Sequence, residues 1–154
     1  MKQDANDRIN QLINQLKVND KIDPNEVDED PPEPKEAMEE LAKIGRPAMA
    51  PLIRVLKDPS NYSCVYAITV LGEIGTPEAA KPIIDAYTSG DYIDNRIYRL
   101  KDFSSEVNVA LHKIGLPALE PALAYLNNKR VEKDIGGVCS ATDILIGIKD
   151  EKTF

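Results

Sequence analysis

The residue types that could carry chemistry are few in this sequence. It contains one histidine, His112, and two cysteines, Cys64 and Cys139, which lie 75 residues apart. A zinc or di-iron centre needs several imidazole, thiolate or carboxylate ligands at short spacing, and a single histidine followed by Lys113 does not supply them. We therefore predict no metal and no cofactor, and we expect both cysteines to be small buried side chains.

Covalent and phosphate chemistry find no support either. Gly136 and Gly137 are not followed by the Lys-Ser or Lys-Thr pair of a phosphate-binding loop. Serine, aspartate and histidine do not fall in an order that predicts a nucleophile with its base. The sequence therefore predicts a protein without catalytic residues, which is not an enzyme.

Composition and charge limit the possible partners. The 154 residues are 42% hydrophobic and 29% charged, values typical of a folded soluble domain. Nineteen basic and 26 acidic side chains give a net charge of -7, opposite in sign to a surface that binds nucleic acid. No apolar run approaches the roughly 18 residues of a membrane helix, and the first residues show no signal-peptide pattern. We expect a cytoplasmic protein with neither a nucleic-acid nor a membrane partner.

The N-terminal part of the chain divides into two segments. Ile9, Leu12, Ile13 and Leu16 recur at helical spacing, which predicts an amphipathic helix within residues 1–18. Between residues 20 and 36 there are eight acidic residues, two lysines and four prolines, a composition that favours an extended linker or strap over residues 19–34. We expect the helix to cap the domain that follows, over residues 35–150, to occupy the groove of that domain, or to exchange with a second chain.

One phrase recurs three times in that domain and predicts its architecture. The copies read LAKIGRPAMAPLIRVL from Leu41, LGEIGTPEAAKPIIDAY from Leu71 and LHKIGLPALEPALAYL from Leu111, and a partial fourth copy ends near residue 148. Repetition at 30 to 40 residues is typical of stacked repeats, in which each unit buries its apolar face against its neighbours.

Each copy has the features of a helical hairpin. A glycine after the first apolar stripe can end a helix with positive φ, and a proline two residues later suits the start of the next helix. A second proline falls at about the fifth or sixth position of that second helix. The pattern predicts helices over 5–18, 35–44, 47–57, 61–74, 77–88, 104–114, 117–128 and 134–149, with an insertion over 91–102.

The phrase L-x-x-I-G-x-P-A-x-x-P-L-I-x-x-L resembles the HEAT-like repeats, especially the short class of the phycobilin lyases, over residues 34–150. The resemblance implies an all-α fold, an α-solenoid of about three and a half helical hairpins plus the N-terminal helix. Many such repeats carry an arginine where this chain has Cys64 and, in the next copy, Ser105 or its neighbour. We therefore expect apolar packing to carry more of the contact between repeats.

In solenoids of this kind the second helix of each hairpin lines the concave face, which predicts a binding surface. Its candidate residues are Arg46, Met49, Arg54, Lys57, Lys81, Asp85, Glu120 and Tyr125. The surface is basic near Arg54 and acidic near Glu120, with Met49 and Tyr125 as apolar anchors, a pattern that suits an elongated peptide of mixed charge.

The sequence thus favours a non-catalytic protein-interaction module or scaffold whose partner is another protein or a peptide. An accessory or chaperone subunit of lyase type, binding a chromophore or prosthetic group, is the alternative that the resemblance implies. The chain is expected to be a monomer or an arm-exchanged homodimer.

Overall fold

The helices lie where the repeat phrase predicts them. The structure, a computed structural model, describes residues 2–22, 32–57, 61–88 and 103–127. Within these ranges the helices are α1 (Lys2–Leu16), α2 (Lys35–Ile44), α3 (Arg46–Val55), α4 (Tyr62–Ile74), α5 (Pro77–Thr88), α6 (Phe103–Ile114) and α7 (Leu119–Leu126). Short 3-10 helices cover Lys17–Lys21 and Leu116–Ala118. The predicted all-α solenoid is confirmed, while Cys139, the predicted helix over 134–149 and the insertion over 91–102 lie outside the described residues.

A glycine with positive φ ends the first helix of each hairpin, as predicted. Gly45 and Gly115 have φ near 70° with ψ of -132° and -142°, whereas Gly75 is left-handed with φ 65° and ψ 25°. The middle turn differs because the second copy has one more residue between its glycine and its second proline than the other two copies have. The Ala79 amide bonds to the Thr76 carbonyl at 3.1 Å, where the other copies use the glycine carbonyl itself. The extra residue of the second copy is therefore accommodated in the turn, and α3 and α5 keep the same register.

The hairpins stack in two layers around a continuous core. The first helices α2, α4 and α6 pack in that order, and the second helices follow as α3, α5 and α7. Helix α4 is buried along most of its length because it lies between two neighbours. Gly72 is the point of closest approach: a Cβ built there would lie 2.6 Å from the Cα of Ala110 in α6. A side chain at residue 72 would push α4 and α6 apart.

Polar contacts also join neighbouring repeats, in addition to the expected apolar packing. Thr69 in α4 donates to the Glu106 carboxylate in α6 at 3.0 Å, and Lys113 pairs with Glu73 between the same helices. Cys64 is fully buried, as predicted. The repeats are thus held by a buried apolar core with polar bridges at its border.

The N-terminal helix covers the first repeat within this chain. Ile9, Leu12, Ile13 and Leu16 are buried, and α1 packs on α2, α3 and the start of α4. At its outer edge Arg8 forms a bidentate ion pair with Glu40 of α2, with Nε at 2.7 Å from Oε1. The hydrogen bond from Arg8 lowers the pKa of Glu40 below its ordinary value, and the same contact raises the pKa of Arg8.

The predicted linker begins too early, because residues 19–22 are anchored. Asn19 is 5% exposed and its side-chain amide donates to the Tyr66 hydroxyl at 2.9 Å and to the Pro32 carbonyl at 3.0 Å. Asp20 accepts hydrogen bonds from Ser63 at the start of α4. These bonds were not predictable from the acidic composition, since they depend on which helix end lies next to residues 19 and 20.

Candidate interaction surface

The structure of the described residues does not assemble a metal site around His112 or Cys64. No group of three His, Cys, Asp or Glu side chains there has the proximity of metal ligands. His112 is half-buried on α6, at the repeat position that holds Gly72 in α4 and Ala42 in α2. None of the helices in the described ranges combines the length and apolarity of a membrane span.

Six of the eight candidate binding residues are exposed on the second helices, and we call them the second-helix face. They are Arg46, Arg54, Lys57, Lys81, Asp85 and Glu120. They share one side of the stack because equivalent positions of the stacked helices align. The amides of Ala48, Ala79 and Ala118 donate to the carbonyls of Gly45, Thr76 and Gly115, which directly precede the three helical segments. In that register Lys81 of α5 corresponds to Glu120 of α7, and Asp85 corresponds to Arg54 of α3.

Part of the charge on this face is neutralised within the face. Arg46 of α3 pairs with Glu78 of α5 at 3.3 Å, and Lys81 pairs with Asp85 one turn later at 2.5 Å. These side chains are well exposed, so each pair contributes little to stability and its members stay available to a partner.

The remaining charges lie at opposite ends of the stack. Arg54 donates through Nε to its own helix at the Ala50 carbonyl, 3.4 Å away. Neither Arg54 nor Lys57 pairs with a carboxylate in the part of the chain that the structure describes, and both are exposed. Glu120 is exposed on α7, two helices away, and has no cation partner among the described side chains. Among the described residues, this face therefore presents exposed cations at α3 and an exposed carboxylate at α7.

Met49 is not part of this face, which corrects the prediction. It is buried, with 9% of its surface exposed, and the Thr76 hydroxyl of the next repeat lies 3.0 Å from its sulfur. Its equivalent in α5, Ala80, is fully buried. A second helix has two buried sides, one toward its own hairpin partner and one toward the next repeat, and Met49 lies on the latter.

Tyr125 is also placed differently from the prediction. It is half-buried and packs against the core. Its equivalents Val55 and Ala86 are both buried, so this position faces the hairpin partner rather than the groove. Tyr125 offers only part of its ring to a partner.

The exposed apolar residues of the last described hairpin were missed by sequence reasoning. Leu116 is 47% exposed and Leu123 is 42% exposed, beside Glu120 on the same helical segment. The signal was present in the alignment, because Leu116 stands where the first copy has the exposed Arg46. An apolar residue at a position that is charged and exposed in another copy indicates an apolar contact site.

Stacked helical hairpins built on one recurring phrase define an α-helical repeat protein. Residues 64–89, which cover most of the second hairpin, match the family model described as PBS lyase HEAT-like repeat. The match supports a HEAT-like repeat protein. Neither the comparison with curated proteins nor that with solved structures gave a match.

Proposed function

We propose that this protein is a non-catalytic module that binds another protein or a peptide through the second-helix face. The observation that carries the proposal is the separation of charge on that face. Arg54 and Lys57 are exposed cations at α3, and Glu120 lies at α7 beside the exposed Leu116 and Leu123. A rigid stack of helices that presents spaced charges and apolar side chains fits an extended partner.

The rigidity of the stack supports this function. The second helices are fixed by the buried core beneath them, with Leu52 and Ile83 fully buried. Arg54, Lys57 and Glu120 are therefore held on a preformed scaffold, so that binding does not have to order the backbone. Their side chains still have rotamer freedom, which limits affinity and makes it depend on several contacts together.

Charge reversal tests the proposal. Three proteins are immobilised and exposed to lysate of the source organism: the wild type, the Arg54→Glu/Lys57→Glu variant and the Lys17→Glu/Lys21→Glu variant. Each protein retained from the lysate is then purified, and its affinity for the three immobilised proteins is measured. The two variants change the net charge equally, and Lys17 and Lys21 are exposed lysines of the 3-10 helix after α1, outside the second-helix face.

A partner that binds the wild type and the Lys17/Lys21 variant, and whose affinity for the Arg54/Lys57 variant falls by at least about tenfold, would support the proposal. Equal affinity for all three proteins would overturn the assignment of the face. Failure of every protein to retain a partner would overturn the interaction module itself.

A second candidate function follows from the matched family, whose description contains the word lyase. It is an accessory subunit that binds a chromophore or prosthetic group. The test is the absorption spectrum of a bilin mixed with the purified protein. A shifted and intensified band that saturates at one bilin per chain would favour this function, and an unchanged spectrum would exclude bilin binding.

A further inference from the structure

The charge of the second-helix face is unusual within this chain. The protein carries a net charge of -7, yet the segment from Arg46 to Lys57 contains three cations and no carboxylate. Arg46 is paired with Glu78 across the repeat boundary, and neither Arg54 nor Lys57 has a carboxylate partner among the residues that the structure describes. An acidic protein with a locally basic surface repels most acidic chains and attracts those that can reach this surface.

The distance from α3 to α7 across the face sets the length of the peptide segment that can contact both helices. Helix α3 contacts α5, and α5 contacts α7. Neighbouring packed helices lie about 8 to 10 Å apart, so the distance from α3 to α7 is roughly 20 Å. An extended chain covers about 3.3 to 3.6 Å per residue, and about six residues therefore cross from the cations of α3 to the apolar side chains of α7.

Between α3 and α7, on α5, the described residues of the face present no uncompensated charge. Asp85 occupies in α5 the position that Arg54 occupies in α3, and it is paired with Lys81 of its own helix. Position 124 in α7 is an exposed alanine, next to Leu123. A partner that crosses the three helices at these equivalent positions therefore contacts two cations on the α3 side, then a neutral ion pair on α5, then an apolar surface on α7.

We infer that the partner segment is an extended peptide with a pair of acidic side chains, followed about six residues later by large apolar side chains. The acidic pair lies on Arg54 and Lys57, and the apolar residues lie on Leu123. This inference rests on the proposed function, because it names the chemistry of the partner for the same face.

The probe is a synthetic peptide with Glu-Glu at one end, Leu-Leu at the other and a Gly-Ser spacer of about six residues. Two matched peptides replace Glu-Glu by Gln-Gln or by Lys-Lys. Binding to the full chain is followed by chemical-shift changes of the backbone amides, for the wild type and for the Arg54→Glu/Lys57→Glu, Leu123→Ser and Lys17→Glu/Lys21→Glu variants.

The expected result is saturable binding of the acidic peptide, with shift changes on α3 and α7. Affinity should fall at least about tenfold for the Gln-Gln peptide and for the Arg54/Lys57 variant, and about threefold or more for Leu123→Ser. The Lys17/Lys21 variant should bind within about twofold of the wild type.

Two results would overturn the inference and leave the proposed function standing. One is equal or tighter binding of the Lys-Lys peptide on the same face, which would assign a basic partner. The other is no saturable binding of any peptide by a protein that still retains a partner from lysate through Arg54 and Lys57. Shift changes confined to residues outside α3, α5 and α7 would overturn both the inference and the face.

Discussion

Asp20 caps the helix that begins 42 residues later in the chain. Its Oδ1 accepts the backbone amide of Ser63 at 2.8 Å, and its Oδ2 accepts the Ser63 hydroxyl at 2.7 Å. The helix begins at Tyr62, and its own preceding residue, Asn61, makes no side-chain capping bond. A carboxylate at a helix N-terminus satisfies a free amide and interacts favourably with the helix dipole. The N-terminal segment is thereby fastened to the central helix of the stack.

Replacement of Asp20 by alanine should lower the free energy of unfolding by about 1 to 2 kcal/mol, because the amide at the start of α4 loses its acceptor. Urea denaturation followed by circular dichroism measures the change. Asp85→Ala is the matched control: it removes an exposed pair within α5 and should cost no more than about 0.5 kcal/mol. Equal effects of the two variants would show that the cap does not contribute.

Gly72→Ala gives a test in which two physical effects have opposite signs. Helix propensity alone predicts that alanine stabilises an exposed helix by about 0.5 to 1 kcal/mol relative to glycine. The close approach of Ala110 predicts the reverse, a loss of about 1 to 3 kcal/mol from overpacking. We expect destabilisation in urea, and a variant at least as stable as the wild type would contradict the observed contact between α4 and α6.

The two kinds of glycine turn should respond differently to alanine. At Gly75 the left-handed conformation costs an L-residue about 1 to 2 kcal/mol. At Gly45, where ψ is -132°, the cost should be larger by about 1 kcal/mol or more, because this region is scarcely open to side chains. An added Cβ meets its nearest neighbour at 3.9 Å at Gly45 and at 3.7 Å at Gly75, so the comparison reports on the backbone. Thermal or urea unfolding of the two variants checks the order.

The ion pair between Arg8 and Glu40 should make stability fall in acid. The pKa of Glu40 is lowered in the folded protein, so its stabilising contribution is present above the ordinary value of 4.5 and is lost as the pH falls through the lowered value. Arg8→Gln should raise the pKa of Glu40 toward 4.5 in an NMR titration of the carboxyl carbon. Arg54→Gln, an equal change at an arginine that does not pair with Glu40, should leave that titration unchanged.

Local signals were enough to predict the hairpins. The recurring L-x-x-I-G-x-P phrase defines where a first helix ends and a second begins, since glycine and proline act through backbone conformation that depends little on distant contacts. The same holds for the apolar stripe of α1, whose four residues are all buried. The described helix bounds differ from the predicted values by at most three residues.

The choice of exposed and buried sides on the second helices was harder to predict. Met49 and Arg54 both lie on α3 outside its principal apolar stripe, yet one is buried and the other exposed. Periodicity identifies the side that meets the hairpin partner, but the side that meets the next repeat depends on how closely and at what angle the repeats stack. Met49 was misplaced for this reason, whereas Tyr125 was misplaced because its position faces the hairpin partner.

By itself the sequence determined an all-α stack of repeated helical hairpins, because periodicity and turn residues are properties of short segments. Only the tertiary structure decided that Asp20 caps α4, that Gly72 contacts Ala110, and that Met49 is buried with its sulfur against the Thr76 hydroxyl. Each of these contacts joins residues more than 25 positions apart, and such pairs form only when the stacking of whole helices brings them together.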